Sequence, residues 1–137
     1  PNLPEACRLA GLAGAPADEA ARRRLALELA RRGPAVLLKG GHAAGAEVVD
    51  LLALGGEVRR FARPRIASSS THGTGCTLAA AIAARLARGD AVAAAVGGAV
   101  DYLHGAIRHA PGIGGGHGPV GHFWQCTEGE RGTSRAG

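Results

Sequence analysis

A glycine loop that opens straight into a long apolar helical run constrains this chain more than any other feature. Thr71-His72-Gly73-Thr74-Gly75-Cys76-Thr77 leads into an Ala/Leu/Ile stretch that continues to Ala87 and ends at Arg88-Gly89. Glycines at 73 and 75 leave three or four backbone N–H groups unobstructed at a helix start, where the helix dipole adds partial positive charge. Such a loop is a concave donor set for an anion such as phosphate. It is neither a GxxxxGK[ST] nor a GxGxxG loop, and an isolated GxG also suits a plain strand-to-helix turn. Cys76 tilts the balance towards function. A thiol in the first turn of a helix is placed where its thiolate is stabilised and can accept a proton. A lone cysteine is otherwise a small buried hydrophobe; Cys7 and Cys126 have no comparable setting and read as inert.

A second segment carries related chemistry. Ala35-Val36-Leu37-Leu38-Lys39, bounded by Gly33-Pro34 and Gly40-Gly41, reads as a short buried parallel strand whose carboxyl end points at Gly40-Gly41-His42. In open α/β sheets ligands bind at that edge, and a lysine there neutralises phosphate oxygens as a point charge. Fifteen of the 16 basic residues are arginine, so the one lysine, Lys39, invites a specific explanation. Asn2 and Glu5, spaced i, i+3, share a helix face. Their oxygens suit Mg²⁺, which keeps most of its waters, although a surface helix produces Asn-x-x-Glu by chance. His42 and His72 flank the two glycine loops and are further pocket candidates.

The remaining chain reads as α/β. A short helix follows Asn2 and stops at Gly11. Asp18 caps a second, which runs to Gly33-Pro34. Strands are expected over Glu47–Leu54 and Glu57–Ala62, joined by Gly55-Gly56 as a tight hairpin and closed by Pro64. Asp90 is expected to cap a helix through about His109, with Gly97-Gly98 permitting close packing and Pro111 ending it. Residues 111–121 are too glycine-rich for regular structure, and the tail is polar and frayed. With one parallel strand and a hairpin the sheet looks incomplete. The chain also lacks methionine and begins at Pro1, so it reads as a fragment or processed form whose flanking strands lie upstream.

Composition narrows the function classes. Apolar residues are 46% and charged residues 20% of 137, which excludes disorder for the bulk of one domain. No run of eighteen apolar residues spans a membrane. Three widely spaced cysteines argue against a disulfide framework and for the cytoplasm. The net charge of +5 would suit nucleic acid, but aromatics for base stacking are only 3%, so no nucleic-acid partner is expected. His104, His109, His117 and His122, with Cys126, are not spaced as a zinc site and read as residues satisfied by loop backbone groups.

Four blocks, in order, resemble one family. They are Asn2-Leu3-Pro4-Glu5-Ala6, Val36 through His42, Thr71 through Leu78, and His109 through Ile113 followed by His117-Gly118-Pro119-Val120 and His122-Phe123-Trp124. Together they are similar to the carboxyl-terminal half of the hydroxymethylpyrimidine/phosphomethylpyrimidine kinases of thiamine synthesis. The resemblance covers residues 1–124 and leaves 125–137 as a polar, disordered tail. It implies a ribokinase-like three-layer α/β/α sandwich, here an incomplete half, in a cytoplasmic homodimer. The implied activity is ATP- and Mg²⁺-dependent phosphorylation of 4-amino-5-hydroxymethyl-2-methylpyrimidine and then of its monophosphate. Cys76 stands at the catalytic-base position, where most ribokinase-like enzymes have aspartate, and Gly73, Thr74 and Gly75 would form the anion hole. Lys39, Gly40, Gly41, Thr71 and His72 would line the nucleotide, while Asn2 and Glu5 would hold Mg²⁺ through water. Ser68-Ser69-Ser70 replaces a stretch that usually carries Asp or Asn, and Gly121 replaces the usual Asn. The alternatives are a pyridoxine or pyridoxal kinase of the same superfamily, and a non-catalytic nucleotide-binding piece that needs a complementary half.

Overall fold

A computed structural model describes residues 1–33, 35–41, 43–68, 73–113 and 116–126. The chain divides into two compact units, Pro1–Arg65 and Ile66–Gly137, and each is described by itself.

The first unit comprises α1 (Leu3–Ala10), α2 (Glu19–Ala30), β1 (Ala35–Leu38), β2 (Glu47–Leu54) and β3 (Glu57–Pro64). Asn2 and Asp18 cap the two helices as their sequence positions require: Asn2 Oδ1 accepts from the Glu5 amide at 2.9 Å and Asp18 Oδ1 from the Ala21 amide at 2.7 Å. α2 ends at Ala30, three residues before Gly33, with its last turn closing on Arg31. Gly55 and Gly56 both take positive φ, 60° and 85°, which lets a two-residue turn pair Leu54 with Glu57. β3 continues past the expected Ala62 to Pro64.

The sheet runs β1-β2-β3 and is antiparallel throughout. The expectation of a buried parallel strand for Ala35–Lys39 is therefore corrected. β1 pairs antiparallel with β2, Leu38 opposite Leu51, and three of its four residues are only half-buried. Parallel geometry is confined to an isolated bridge between Asn2 and Lys39. An apolar run bounded by glycines records burial but not the direction of its partner.

One face of the sheet carries Leu38, Leu51 and Ala53, which pack with Leu3, Ala6 and Cys7 of α1 and Leu25, Ala26 and Leu29 of α2. Each fully buried leucine in that layer contributes about 1.5–3 kcal/mol. Alternation sends Asp50 and Leu52 to the opposite face, where both are also buried. Arg60 of β3 pairs with Glu19 of α2 at 3.1 Å and, across the hairpin, with Glu47 of β2 at 2.9 Å.

The second unit comprises α3 (Thr74–Ala87) and α4 (Val92–Arg108), packed on one another. Asp90 does not cap α4, contrary to its position in the sequence. Ala91 is the cap residue, and the Asp90 carboxylate pairs instead with Arg85 of α3 at 2.8 Å. A Cβ at Gly98 would lie 2.3 Å from the Arg85 guanidinium carbon, so the expected close packing at the Gly97-Gly98 pair is realised at Gly98. After α4 the chain returns along that helix. The Gly121 amide donates to the Ala106 carbonyl at 2.8 Å, and a Cβ at 121 would sit 2.2 Å from the His109 carbonyl oxygen. Glycine at 121 thus matches this close return. Residues 124–126 form one helical turn, and residues 127–137 of the expected tail lie outside the described residues. Among the described residues no helix is long and apolar enough to cross a membrane.

Candidate active site

In the first unit the predicted residues converge at the carboxyl end of β1. The Lys39 amide donates to the Pro1 carbonyl at 2.8 Å, and the Asn2–Lys39 bridge sets the start of α1 beside the end of the strand. Asn2 and Glu5 thereby join Lys39, Gly40 and Gly41 at one sheet edge. The Asn-x-x-Glu spacing has a structural role of its own, a reciprocal capping box. Glu5 Oε2 accepts from the Asn2 backbone at 2.7 Å and Oε1 from the Asn2 side chain at 2.9 Å. The Glu5 carboxylate stays exposed. Hard oxygen donors of this kind fit a hydrated Mg²⁺ held through water.

The glycine pair after Lys39 is held from below and from the side. Gly40 is buried hard against β2, where a Cβ would fall 1.9 Å from the Val49 carbonyl oxygen, so only glycine fits. Its amide donates to Asp50 Oδ1 at 2.7 Å. Burial raises the Asp50 carboxyl above its ordinary range, against the opposing pull of the Gly40 N–H and the Lys39 charge. Arg65, at the end of β3, spans the same connection, donating to the carbonyls of Gly41 at 3.2 Å, Gly45 at 2.8 Å and also Ala43. Gly41 is exposed. His42 lies outside the described residues.

Asp50 and Arg65 were missed by sequence reasoning. A carboxylate in the middle of the apolar run Val48-Val49-Asp50-Leu51-Leu52 is a signal that was there to be read, because a charge at a buried strand position needs a partner. Arg65 carried none, being one arginine among fifteen.

In the second unit Gly73 takes φ 79° and starts α3, so that Thr74, Gly75 and Cys76 occupy its first turn. The Thr77 amide closes on the Gly73 carbonyl at 2.8 Å, and buried Thr77 and Leu78 root the helix. No side chain caps this end. Cys76 and Cys126 are exposed, and Cys7 is buried. Thr71 and His72 lie outside the described residues. A groove of about 410 Å³ beside α3 and α4, walled by Arg85, Arg88, Tyr102 and His122, contains none of the predicted site residues. His109 places Nδ1 2.9 Å from the Gly105 carbonyl, a backbone partner in helix α4 where a loop partner is expected from sequence.

Known proteins resemble this chain in sequence and in fold. A family model described as phosphomethylpyrimidine kinase matches residues 1–121. The chain is 50% identical over 124 residues to the thiamine biosynthesis bifunctional protein ThiED of Geobacter sulfurreducens, covering 90% of this chain and 25% of that protein. It is 46% identical over 129 residues to the hydroxymethylpyrimidine/phosphomethylpyrimidine kinase of Streptomyces coelicolor, covering 93% of this chain and 47% of the relative. Among solved structures, an ADP complex of Bacillus subtilis pyridoxal kinase superposes with a TM-score of 0.85 at 29% identity, over 92% of this chain and 48% of that one. These neighbours carry the ribokinase-like α/β fold, of which this chain is a part. It spans a quarter to a half of the length of the relatives it matches. By the match over residues 1–121, the chain belongs to the phosphomethylpyrimidine kinase family.

Proposed function

We propose that this chain is the carboxyl-terminal part of a cytoplasmic, homodimeric kinase that uses ATP and Mg²⁺. Its substrates are 4-amino-5-hydroxymethyl-2-methylpyrimidine and the monophosphate of that alcohol. The observation that carries the reading is the uncapped start of α3, where glycines and Cys76 occupy the first turn and the thiol is exposed. It is supported by relatives at 46–50% identity, one a pyrimidine kinase by name and the other a thiamine biosynthesis protein.

Phosphoryl transfer asks a protein mainly for in-line positioning and for stabilisation of charge on the transferred oxygens. The amides of Gly73, Thr74, Gly75 and Cys76 supply fixed donors for that charge. The Cys76 thiolate accepts the proton of the attacking hydroxyl. Lys39 places a cation against nucleotide phosphate oxygens, beside the Gly41 backbone; Thr71 and His72 are nucleotide-binding positions by the family resemblance alone. Asn2 and Glu5 hold Mg²⁺ through water, and the metal, when bound, neutralises phosphate charge.

The test uses the native polypeptide that carries these residues. Cys76→Ala should lower the rate of pyrimidine phosphorylation by about 10²–10⁴-fold with little change in nucleotide affinity, and Cys76→Asp should recover part of it. Near-normal turnover in Cys76→Ala would remove the thiol from the mechanism. The likeness to solved pyridoxal kinases, at TM-scores of 0.82–0.85, favours a second reading in which pyridoxal is the alcohol. The ratio of kcat/KM for the pyrimidine and for pyridoxal decides between them. Nucleotide binding without turnover of either alcohol would leave a non-catalytic nucleotide-binding protein.

A further inference from the structure

We infer that Asp50 is the positioning residue of the nucleotide loop, with Arg65 as its second anchor: together they fix Lys39, Gly40 and Gly41 in the binding conformation before nucleotide arrives. The inference rests on the reading of that loop as a phosphate-binding element.

The Gly40 N–H points down to Asp50 Oδ1 at 2.7 Å, so it is committed to the protein and is not a phosphate donor. The Gly40 carbonyl is also taken, by the Ala43 amide at 3.0 Å. What the loop offers outward is the Lys39 ammonium and the Gly41 N–H, which has no acceptor among the described residues. The Gly41 N–H lies opposite the Gly40 carbonyl of the same trans peptide, which the Ala43 amide holds, and the Gly41 carbonyl of the next peptide accepts from Arg65. Asp50 and Arg65 both hold this stretch, one through a backbone donor and the other through backbone acceptors.

Asp50 is a poor choice for strand stability alone. It is 7% exposed between Val49 and Leu51, positions filled by aliphatic side chains, and burying a carboxylate is costly unless it is bonded. Its one described hydrogen bond goes to the loop. The Asp50 carboxylate, close enough to feel the Lys39 charge, also supplies a counter-charge when no phosphate is present. Freezing a loop in its bound shape gains affinity by removing the ordering cost at binding, which belongs to the ground-state complex and leaves the chemical step largely untouched.

The experiment compares wild type, Asp50→Ala, Asp50→Asn and Arg65→Gln in the native polypeptide. It measures the Kd of the non-hydrolysable analogue AMP-PCP, the KM for ATP and for the pyrimidine, kcat, and thermal midpoints. The expected result for Asp50→Ala and Arg65→Gln is a rise of about tenfold in the AMP-PCP Kd and the ATP KM. The kcat at saturating ATP should stay within about threefold and the pyrimidine KM should be unchanged. Asp50→Asn keeps an acceptor for Gly40 and should recover most of the affinity. Arg65 is exposed, so its variant remains informative if Asp50→Ala fails to fold. The inference is overturned if folded Asp50→Ala and Arg65→Gln bind AMP-PCP as wild type does, or if kcat and both KM values change together with the thermal midpoint. If wild type itself shows no affinity for AMP-PCP, the phosphate-binding reading of the loop falls with it. If wild type binds AMP-PCP and the variants match it, only the positioning role falls.

Discussion

The imidazole of His109 lies flat on the indole of Trp124, with ring centroids 5.4 Å apart and planes inclined by 6°. Trp124 Nε1 donates to the Tyr102 carbonyl at 3.1 Å, and the Tyr102 hydroxyl donates to the His122 carbonyl at 2.8 Å. The return segment is thus fastened to α4 by side chains that reach backbone on both the helix and the return. Gly105 makes room for it, since a Cβ there would fall 2.2 Å from indole Cζ2. Gly105→Ala should destabilise the second unit by about 1–3 kcal/mol through overpacking, and Trp124→Ala by about 2–3 kcal/mol through lost burial and stacking. Urea unfolding checks both. Trp124 is the chain's one tryptophan, so its emission in Gly105→Ala should shift to the red as the ring is pushed into solvent, and an unshifted spectrum would contradict the fastening.

Gly40 and Gly41 make a sharp pair of controls. A methyl at 40 meets the Val49 carbonyl at 1.9 Å, and that oxygen belongs to the centre of the sheet, so it cannot move aside cheaply. A methyl at 41 meets nothing within 4 Å. Gly40→Ala should therefore cost about 1–3 kcal/mol of folding stability, while Gly41→Ala should leave stability within about 0.5 kcal/mol of wild type. Chemical denaturation separates the two. Equal losses at both positions would mean that the loop does not sit against β2.

Much of this arrangement could be read from local rules. Asn2, Asp18 and the Gly55-Gly56 turn act through neighbours three or four residues away, and all three behave as their spacing implies. The loop before Cys76 likewise opens a helix where the glycines place it. What escaped depends on distance or competition. Asp90 stands where the sequence expects a cap, yet Ala91 takes that position and the Asp90 carboxylate pairs with Arg85, five residues back at the end of α3. β1 is apolar enough for a parallel sheet, but its direction relative to β2 is decided by the return through Gly40–Ala46. Asp50 and Arg65 meet the loop from ten and more than twenty residues away, and no periodicity encodes such partners.

Glu5 has two roles that substitution can divide. As the far half of the capping box it stabilises the first turn of α1, and as a carboxylate it supplies negative charge for a hydrated cation. Glu5→Gln retains the acceptor for the Asn2 amide, so stability should stay within about 0.5 kcal/mol. Glu5→Ala should lose about 0.5–1 kcal/mol. Both should raise the Mg²⁺ concentration needed for half-maximal kinase rate. A Glu5→Gln enzyme with an unchanged Mg²⁺ requirement would confine the residue to capping.

Asp50 also leaves a signature in the pH dependence of stability. Burial holds its carboxyl above the ordinary value of 3.8, so the folded chain binds that proton more tightly than the unfolded one. Stability contributed at this residue therefore falls as pH rises through the interval above 3.8, and stays low at neutral pH where the buried group is charged. Glu19 has the opposite sign. Its hydrogen bond from Arg60, aided by Arg23, holds it below 4.5, so its contribution is present above that pH and is lost as pH falls. Wild-type acid unfolding mixes the two, and the difference between Asp50→Asn and wild type isolates the first. That difference should favour the variant most at neutral pH and move steadily against it as the solution is acidified towards 3.8, where the wild-type carboxyl takes up its proton. The slope carries the prediction, because the offset also includes the fit of the new amide. Urea midpoints at intervals between neutral pH and pH 3.8 measure it. A difference that stays constant across the series would mean that the Asp50 carboxyl titrates alike in folded and unfolded chains, and that its burial under Gly40 carries no electrostatic cost.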